Sequence, residues 1–482
     1  MNDDRPVPEQ AAHDHPIMPR LAAFLTEGWA EVDLPGGEDE VAPLAARRRH
    51  ELSERFPGEA LVIPTGRPPT RSNDTDYAFR PGTDFAYLTG CHEPECVLVM
   101  LPSGSGHDAV LYLHDRRPKS QDTEALSNRV RGELWVGRRP SATEVGAALG
   151  IECRDLTALP QALSSVSPSQ MRVVRGVDIA TERLLPATDA ARDEALTRSV
   201  NEMRLIKDAW EVEQLRDAVN ATVRGFRDVV RRLPLAVETS ERMIEGVFAT
   251  RARVDGNNVG YGTIAAAGPH ATTLHWQRND GAVRPGELLL LDAGVENRRL
   301  YTADVTRTMP ISERFTPLQR DIYSLVLRAQ ESAMAVIRPG TSWKDYDLAA
   351  MRVLAEGLRD MGLLPVSVEE SLEPDVELHR RWTLHSTGHM LGIDVHDCAR
   401  ARAERYRGGN LEAGMVLTVE PGLYFQPDDL LVPEELRGIG VRIEDDVLVT
   451  QDGCEVLSRD LPREADAVER WMAELTEEQG RW

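Results

Sequence analysis

The sequence predicts two folded parts, an α/β domain over residues 43–195 and an α+β domain over residues 196–460. In the first part, short apolar runs alternate with helical patterns, which is typical of an α/β domain. In the second part, two long helices have strong start signals and several apolar strands carry carboxylates. A chain of 482 residues is long enough to fold as two or three domains.

The first part follows an acidic stretch. Residues 1–42 are rich in Pro and Gly, which predicts a flexible tail. Apolar runs then predict strands at 60–64, 84–89, 96–101, 109–114 and 172–177. Helical spacing predicts helices at 45–55, 141–149 and 178–185. Strands and helices therefore follow one another along this whole part.

Two long helices are predicted in the second part. Asp208 and Glu211 form a variant of the capping box, and apolar residues follow at helical spacing up to Phe226. A second helix begins at Thr316, with Pro317 at its first position and Gln319 three residues after the cap, and it runs to about residue 337. Residues 461–482 contain one more apolar helical stripe, which predicts a C-terminal helix.

The composition excludes several classes of function. Lys and Arg number 56 against 79 Asp and Glu, and the net charge of −23 argues against binding nucleic acid or an anionic membrane. No apolar run reaches the ~18 residues of a membrane span, and the acidic first twenty residues do not fit a secretory signal. Five cysteines, an odd number, fit the reducing cytoplasm better than a disulfide framework.

Carboxylates lie on four predicted strands. The run LLLLDAG carries Asp292 and YTADVTRTM carries Asp304, and a hairpin centred near Arg298 would bring the two opposite each other. MVLTVEPGLY carries Glu420, and VRIEDDVLVT carries Glu444. Burying four carboxylates is costly unless cations neutralise them, and oxygen-rich sets suit divalent metals such as Mn²⁺.

The remaining polar candidates are an arginine on the strand of Glu444 and four histidines. Strand alternation places Arg442 on the same face as Glu444. The segment LHSTGHMLGIDVHD contains His385, His389 and His396, and its resemblance to the zinc motif H-E-x-x-H fails because a serine replaces the glutamate. His275 lies further upstream, beside Trp276.

Each of these residues alone has an ordinary structural explanation, as a turn, a cap or a core histidine. Five of them in the order D, D, H, E, E, each in a suitable context, favour a two-metal site. These five residues are Asp292, Asp304, His389, Glu420 and Glu444.

With their surroundings LDAG, DVTRT, TGHMLGIDVHD, VEPG and RIED, these residues resemble the pita-bread metallopeptidases. That family includes methionine aminopeptidase, prolidase and Xaa-Pro aminopeptidase (aminopeptidase P). The resemblance covers about residues 200–455 and implies an α+β pita-bread catalytic domain. Upstream, YAFRPGTDFAYLTGCHEPECVLVM and ELWVGRR are similar to the N-terminal domain of aminopeptidase P, although the tail is longer than expected for that branch.

The resemblance implies a role for each residue. Asp304 and Glu444 would bridge two divalent ions, Mn²⁺ above all, with Asp292 completing one site and His389 with Glu420 the other. Glu420 would also carry a proton to the leaving nitrogen. The remaining residues would position the substrate or hold the carboxylates, namely His275, His385, His396 and Arg442.

The activity that the resemblance implies is release of the first residue from peptides with proline second. The nearest alternative is prolidase, which cuts Xaa-Pro dipeptides, and a metal-free peptide-binding scaffold is a remote one. The expected partners are proline-containing peptides and further copies of this chain in a dimer or tetramer, with neither nucleic acid nor membrane. The expected compartment is the cytoplasm.

Overall fold

The computed structural model describes residues 17–30, 36–73, 75–121, 126 and 128–479. The chain divides into two compact units, Met1–Thr197 and Arg198–Trp482. The boundary that the sequence predicts between residues 195 and 196 falls inside the helix Ala190–Met203.

The first unit is built on a mixed five-stranded sheet with the order β6-β5-β4-β1-β7. β1 pairs antiparallel with β4 and parallel with β7, and a separate pair, β2 and β3, lies outside this sheet. The strands are β1 Ala60–Pro64, β2 Thr70–Ser72, β3 Thr75–Asp76, β4 Val97–Ser103, β5 Gly106–Leu113, β6 Glu152–Asp155 and β7 Met171–Val173. The helices are α1 Pro19–Leu25, α2 Ala42–Arg55, α3 Thr83–Thr89, α4 Glu133–Val136, α5 Ala142–Leu149, α6 Leu159–Ser164, α7 Ile179–Arg183 and α8 Ala190–Met203.

One predicted strand is wrong. Residues 84–89 form helix α3, not a strand, and α3 ends at Gly90 in the left-handed conformation. Two buried arginines of α2 bind its last carbonyls: Arg48 donates to Tyr87 O and Arg49 to Leu88 O. These long-range partners satisfy the helix end, and the aromatic-rich local pattern does not reveal them.

The predicted tail also contains structure. Helix α1 lies within it, beginning with a proline in its first turn, where the missing N–H costs nothing. Residues 1–16 and 31–35 of the tail, and 480–482 at the other end, lie outside the described residues.

The second unit contains the long helices. They are α9 Ala209–Glu238, α10 Glu241–Asp255, α11 Pro317–Val336, α12 Trp343–Asp360, α13 Val368–Ser371 and α14 Ala465–Gln479. The predicted capping box of Asp208 and Glu211 is confirmed, and the predicted cap at Thr316 also pairs reciprocally with Gln319. Among the described residues, no helix is long and apolar enough to cross a membrane.

Short strands form four small sheets in this unit. The strands are β8 Asn258–Val259, β9 Ile264–Ala267, β10 Leu288–Ala293, β11 Val295–Glu296, β12 Val305–Pro310, β13 Val416–Val419, β14 Gly422–Tyr424, β15 Gly440–Arg442, β16 Asp445–Val449 and β17 Cys454–Val456. The sheets are β12-β10-β9, β11-β8, β13-β16-β17 and β14-β15.

The predicted hairpin forms between β10 and β12, with a shifted register. Asp292 faces Thr306, not Asp304. Asp304 is offset by two residues, and since side chains alternate along a strand, that offset keeps both carboxylates on one face.

Two predicted strands are each interrupted at a carboxylate. Glu420 separates β13 from β14, and Glu444 separates β15 from β16. At these breaks the backbone leaves its strand partner: Glu420 N donates to Thr387 O and Glu444 N to Thr306 O. The breaks turn both carboxylates out of regular sheet pairing and toward the hairpin of β10 and β12.

Candidate active site

The five predicted metal-binding residues converge in the second unit. His389 Nε2 lies 3.3 Å from Asp304 Oδ2 and 3.5 Å from Glu420 Oε1. One ligand atom each from Asp304, His389 and Glu444 falls within 4.8 Å of the other two. Asp292 is connected to Asp304 through the phenol of Tyr261.

Tyr261 joins two of the carboxylates, and the sequence analysis missed it. Its hydroxyl lies 2.7 Å from Asp292 Oδ1 and 2.5 Å from Asp304 Oδ1. The only sequence signal is a tyrosine between two glycines ahead of β9. Burial and the neighbouring carboxylates raise the pKa of Tyr261 well above its usual value, so the phenol keeps its proton and acts as a donor.

Arg442 is the central cation of the site. Its Nη2 donates to Asp292 Oδ2 at 2.5 Å, and its Nε donates to Thr306 Oγ1 at 3.1 Å. The Thr306 hydroxyl in turn donates to Glu444 Oε2 at 2.6 Å. One buried guanidinium therefore orients two carboxylates from different strands, Asp292 directly and Glu444 through a hydroxyl.

The carboxylates carry more negative charge than this arginine neutralises. Burial raises the pKa of Asp292, which Arg442 only partly offsets. Burial likewise raises the pKa of Glu420 to about 7 and that of Glu444 well above its usual value. Buried carboxylates with such shifts fit divalent cations, which would supply the missing positive charge.

His389 has the surroundings of a metal-binding histidine. Its Nδ1 lies 3.1 Å from the carbonyl oxygen of Met390, so that nitrogen carries a proton and Nε2 faces the carboxylates. Metal-binding histidines commonly donate their other N–H in this way. Burial lowers the His389 pKa, but the hydrogen bond and charge of Asp304 and the charge of Glu420 outweigh it and raise the pKa to about 9.

His385 contacts the other carboxylate oxygen of Glu420, Oε2, whereas His389 contacts Oε1. The Nδ1 of His385 lies 2.9 Å from Ser386 O and 3.5 Å from Glu420 Oε2, and its Nε2 accepts the Tyr424 hydroxyl proton at 2.7 Å. Burial and the Arg442 charge lower its pKa to about 3. His385 is therefore a neutral imidazole at physiological pH.

The other two predicted histidines are more accessible. His396 is exposed, and its ring meets that of His389 edge-on with 4.4 Å between centroids. His275 is also exposed. Burial lowers the pKa of His396, and the charge of the neighbouring His389 lowers it further. All nine predicted site residues thus belong to one neighbourhood, which offers cation ligands beside a set of exposed imidazoles.

Arg307 was also missed from the sequence. This fully buried side chain donates to Glu444 O at 2.6 Å, to Asp445 Oδ1 at 2.6 Å and to Leu461 O at 3.1 Å. It connects β12, the Glu444 break and the segment before α14. Its position in DVTRT alternates with Thr306, but its partners are more than a hundred residues away.

A group of buried carboxylates beside a histidine whose Nδ1–H is held by a carbonyl is typical of a centre for divalent cations. Residues 213–451 match the sequence model of metallopeptidase family M24, and residues 45–174 match that of the aminopeptidase P N-terminal domain.

Individual relatives agree with these matches. Xaa-Pro aminopeptidase 1 of Streptomyces coelicolor is 54% identical over 465 residues, covering 95% of this chain and 93% of that protein. Xaa-Pro aminopeptidase of Escherichia coli is 34% identical over 88% of this chain and 96% of its own length. The structure of Escherichia coli aminopeptidase P with the inhibitor Pro-Leu superposes with a TM-score of 0.79 at 31% identity, covering 91% of this chain and all of that one.

The chain therefore belongs to the Xaa-Pro aminopeptidases, the aminopeptidase P branch of metallopeptidase family M24. The predicted fold class, an α/β N-terminal domain followed by a pita-bread catalytic domain, is confirmed.

Proposed function

We propose that this enzyme releases the first residue from peptides with proline second, using two divalent cations, preferably Mn²⁺. The observation that carries the proposal is the cluster of three buried carboxylates, the half-buried Glu420 and His389 beside one buried arginine. Asp292, Asp304, His389, Glu420 and Glu444 would hold the cations. When bound, such ions polarise a carbonyl and lower the pKa of water.

Glu420 is proposed to move the proton. It is less buried than the other three carboxylates, and its Oε2 lies 3.5 Å from His385 Nδ1. A half-buried carboxylate beside His385 can take a proton and pass it to the prolyl nitrogen of the leaving group. That nitrogen needs a proton because it departs as an amine.

The histidines are proposed to bind and orient the peptide. His385 is fixed by Tyr424, which receives a hydrogen bond from Arg442 Nη1 at 2.9 Å. Its neutral ring adds no charge to the site, and the Nδ1–H that donates to Ser386 O would have to turn away from that carbonyl to hydrogen-bond the substrate. His275, Trp276 and His396 are candidate walls for the proline ring, whose amide has no N–H and a fixed φ.

Metal analysis tests the cation part of this proposal. A chelated sample titrated with Mn²⁺ should bind two ions per chain and regain activity as they bind. A folded, Mn²⁺-loaded sample with one ion or none per chain would contradict the two-metal reading. The Zn-substituted form of the Escherichia coli relative, solved with product, supports a metal at this site but leaves Mn²⁺ a proposal.

A peptide comparison tests the substrate. We expect cleavage of Xaa-Pro-Yaa and not of Xaa-Ala-Yaa under Mn²⁺. Hydrolysis of the dipeptide Xaa-Pro alone would make the enzyme a prolidase, and equal cleavage of the alanine peptide would remove proline specificity. No cleavage of any of them, with both metals bound, would favour the peptide-binding scaffold.

Two further expectations belong to the proposal. All five cysteines are free thiols, which supports the reducing cytoplasm as the compartment. A homo-oligomer, dimer or tetramer, is proposed from the family resemblance and can be measured by sedimentation.

A further inference from the structure

The carboxylate of Glu241 has no place in the proposed chemistry, yet it accepts four hydrogen bonds. Its side chain is fully buried at the start of α10. Oε1 accepts from Ala267 N at 2.8 Å and from His270 Nδ1 at 2.8 Å. Oε2 accepts from Trp276 Nε1 at 2.8 Å and from Gly281 N at 2.7 Å.

These four donors share one property: all lie on or beside the segment 268–281, which follows β9. A fifth bond closes the connection, because Glu241 N donates to Gly281 O at 3.0 Å. The His270 and Trp276 rings stack with centroids 3.8 Å apart and planes at 20°. One carboxylate therefore fixes both ends of the segment and an aromatic pair within it.

His275 lies inside this fixed segment. Its neighbours Leu274 and Trp276 pack against the apolar cluster that includes Tyr424, and the Tyr424 hydroxyl binds His385. The two flanking side chains thus anchor the backbone on either side of His275, whose own ring is exposed. The position of the ring depends on the anchors, and the Trp276 anchor depends on Glu241.

We propose that Glu241 is a positioning residue that holds segment 268–281 so that His275 meets the substrate. This inference rests on the proposed function, because it takes His275 as a substrate-binding residue. A carboxylate suits the task because each of its oxygens can accept two hydrogen bonds. A glutamine amide can accept hydrogen bonds at its oxygen only. In Glu241→Gln the amide NH₂ would therefore point at a backbone N–H and a side-chain N–H, which are also donors.

The test compares Glu241→Gln with Glu245→Gln, a half-buried glutamate one turn further along α10. We expect Glu241→Gln to lose about 10–10²-fold in kcat/KM, the scale of a misplaced binding group, while its Mn²⁺ content stays unchanged. Glu245→Gln should keep the wild-type value. Trp276→Phe, which removes one donor and keeps a ring, should show a smaller loss of the same kind.

A double-mutant cycle separates positioning from a general loss of stability. In a His275→Ala background, Glu241→Gln should change kcat/KM by less than about twofold, because the residue it positions is gone. Amide exchange should rise at Ala267 and Gly281 in Glu241→Gln. Losses that multiply in the double variant, or unchanged exchange, would overturn the inference. If His275→Ala alone leaves kcat/KM intact, the proposed role of His275 fails first and that of Glu241 with it.

Discussion

At the scale of single residues, the four site carboxylates differ in what holds them. Asp292 is bound by Arg442, Glu444 by Thr306, and Asp304 by Tyr261. Glu420 lies 3.5 Å from both His385 and His389, and Thr418 Oγ1 donates to its Oε1 at 3.3 Å. Asp292, Asp304 and Glu444 are therefore each held by a donor that keeps its proton, whereas Glu420 lies beside two imidazoles, one of which, His389, also faces Asp304.

That difference predicts the effect of Glu420→Gln. We expect the variant to fold and to lose about 10²–10⁴-fold in turnover, the usual contribution of a positioned acid or base, with weaker metal binding adding to the loss. Turnover per folded molecule, metal content and melting temperature should be measured together. A lower melting temperature with unchanged turnover would instead mark Glu420 as structural.

The two histidines whose rings meet edge-on should respond differently to removal. We expect His389→Ala to lose metal, because Nε2 of His389 faces Asp304 and Glu420. His396→Ala should keep its metal and lose turnover, because His396 is exposed and is proposed to contact substrate. Metal content and kinetics of the two variants check the assignment, and the reverse pattern would contradict it.

Asp397, next to His396, predicts a pH effect on stability. It is buried with Arg204 Nε at 3.0 Å and Lys207 Nζ at 3.5 Å. Burial alone would raise its pKa, but the two cations hold that pKa below its usual value. A carboxyl group with a depressed pKa stabilises the fold at any pH above its pKa in the unfolded chain, ~3.9. This stabilisation is lost as the pH falls through the pKa of the group in the folded protein.

Asp397→Asn should accordingly cost about 3–5 kcal/mol at pH 7, because it leaves two buried cations without their anion. Urea unfolding at pH 7 and at about pH 3.5 measures both effects. The difference in free energy of unfolding between variant and wild type should shrink at the lower pH. A constant difference would show that the ion cluster does not contribute to acid sensitivity.

At the scale of elements, the sequence predicts what local chemistry determines. Both helix caps and β1 form as predicted, because their signals lie within a few residues. Helix α3 was missed because its carbonyls are bound by arginines of another helix. Tyr261 and Glu241 were missed for the same reason, since only their distant partners distinguish them from ordinary residues.

The packing of α9 on α10 gives a prediction at this scale. A Cβ at Gly225 of α9 would lie 2.6 Å from the Phe248 ring of α10, whereas one at Gly246 would meet nothing within 4 Å. We expect Gly225→Ala to lower the free energy of unfolding by about 1–3 kcal/mol through overpacking. Gly246→Ala should raise it by up to about 1 kcal/mol, because alanine favours a helix. Equal effects of the two substitutions in denaturant unfolding would mean that the helices separate readily.

At the scale of the whole molecule, all the site residues described above lie in the second unit. Its ligands come from the β10–β12 hairpin, from the breaks beside β13 and β16, and from the irregular segment around His389. The first unit has its own core, a cluster of buried apolar side chains that includes Val62, Val99 and Leu163. Cations would therefore cross-link distant parts of one unit and leave the other without a direct effect.

Chelation of the full-length enzyme should then loosen one unit selectively. Without cations, buried carboxylates of the second unit repel one another around Arg442, so we expect a lower melting temperature that Mn²⁺ restores. A ligand at a hundred times its Kd stabilises by about 2.7 kcal/mol. Amide exchange should rise in β10, β12, β13 and β16 after chelation and stay constant in β1, β4 and β5. A uniform rise in both units would contradict separate cores, and no rise in either would mean that the carboxylate cluster is stable without metal.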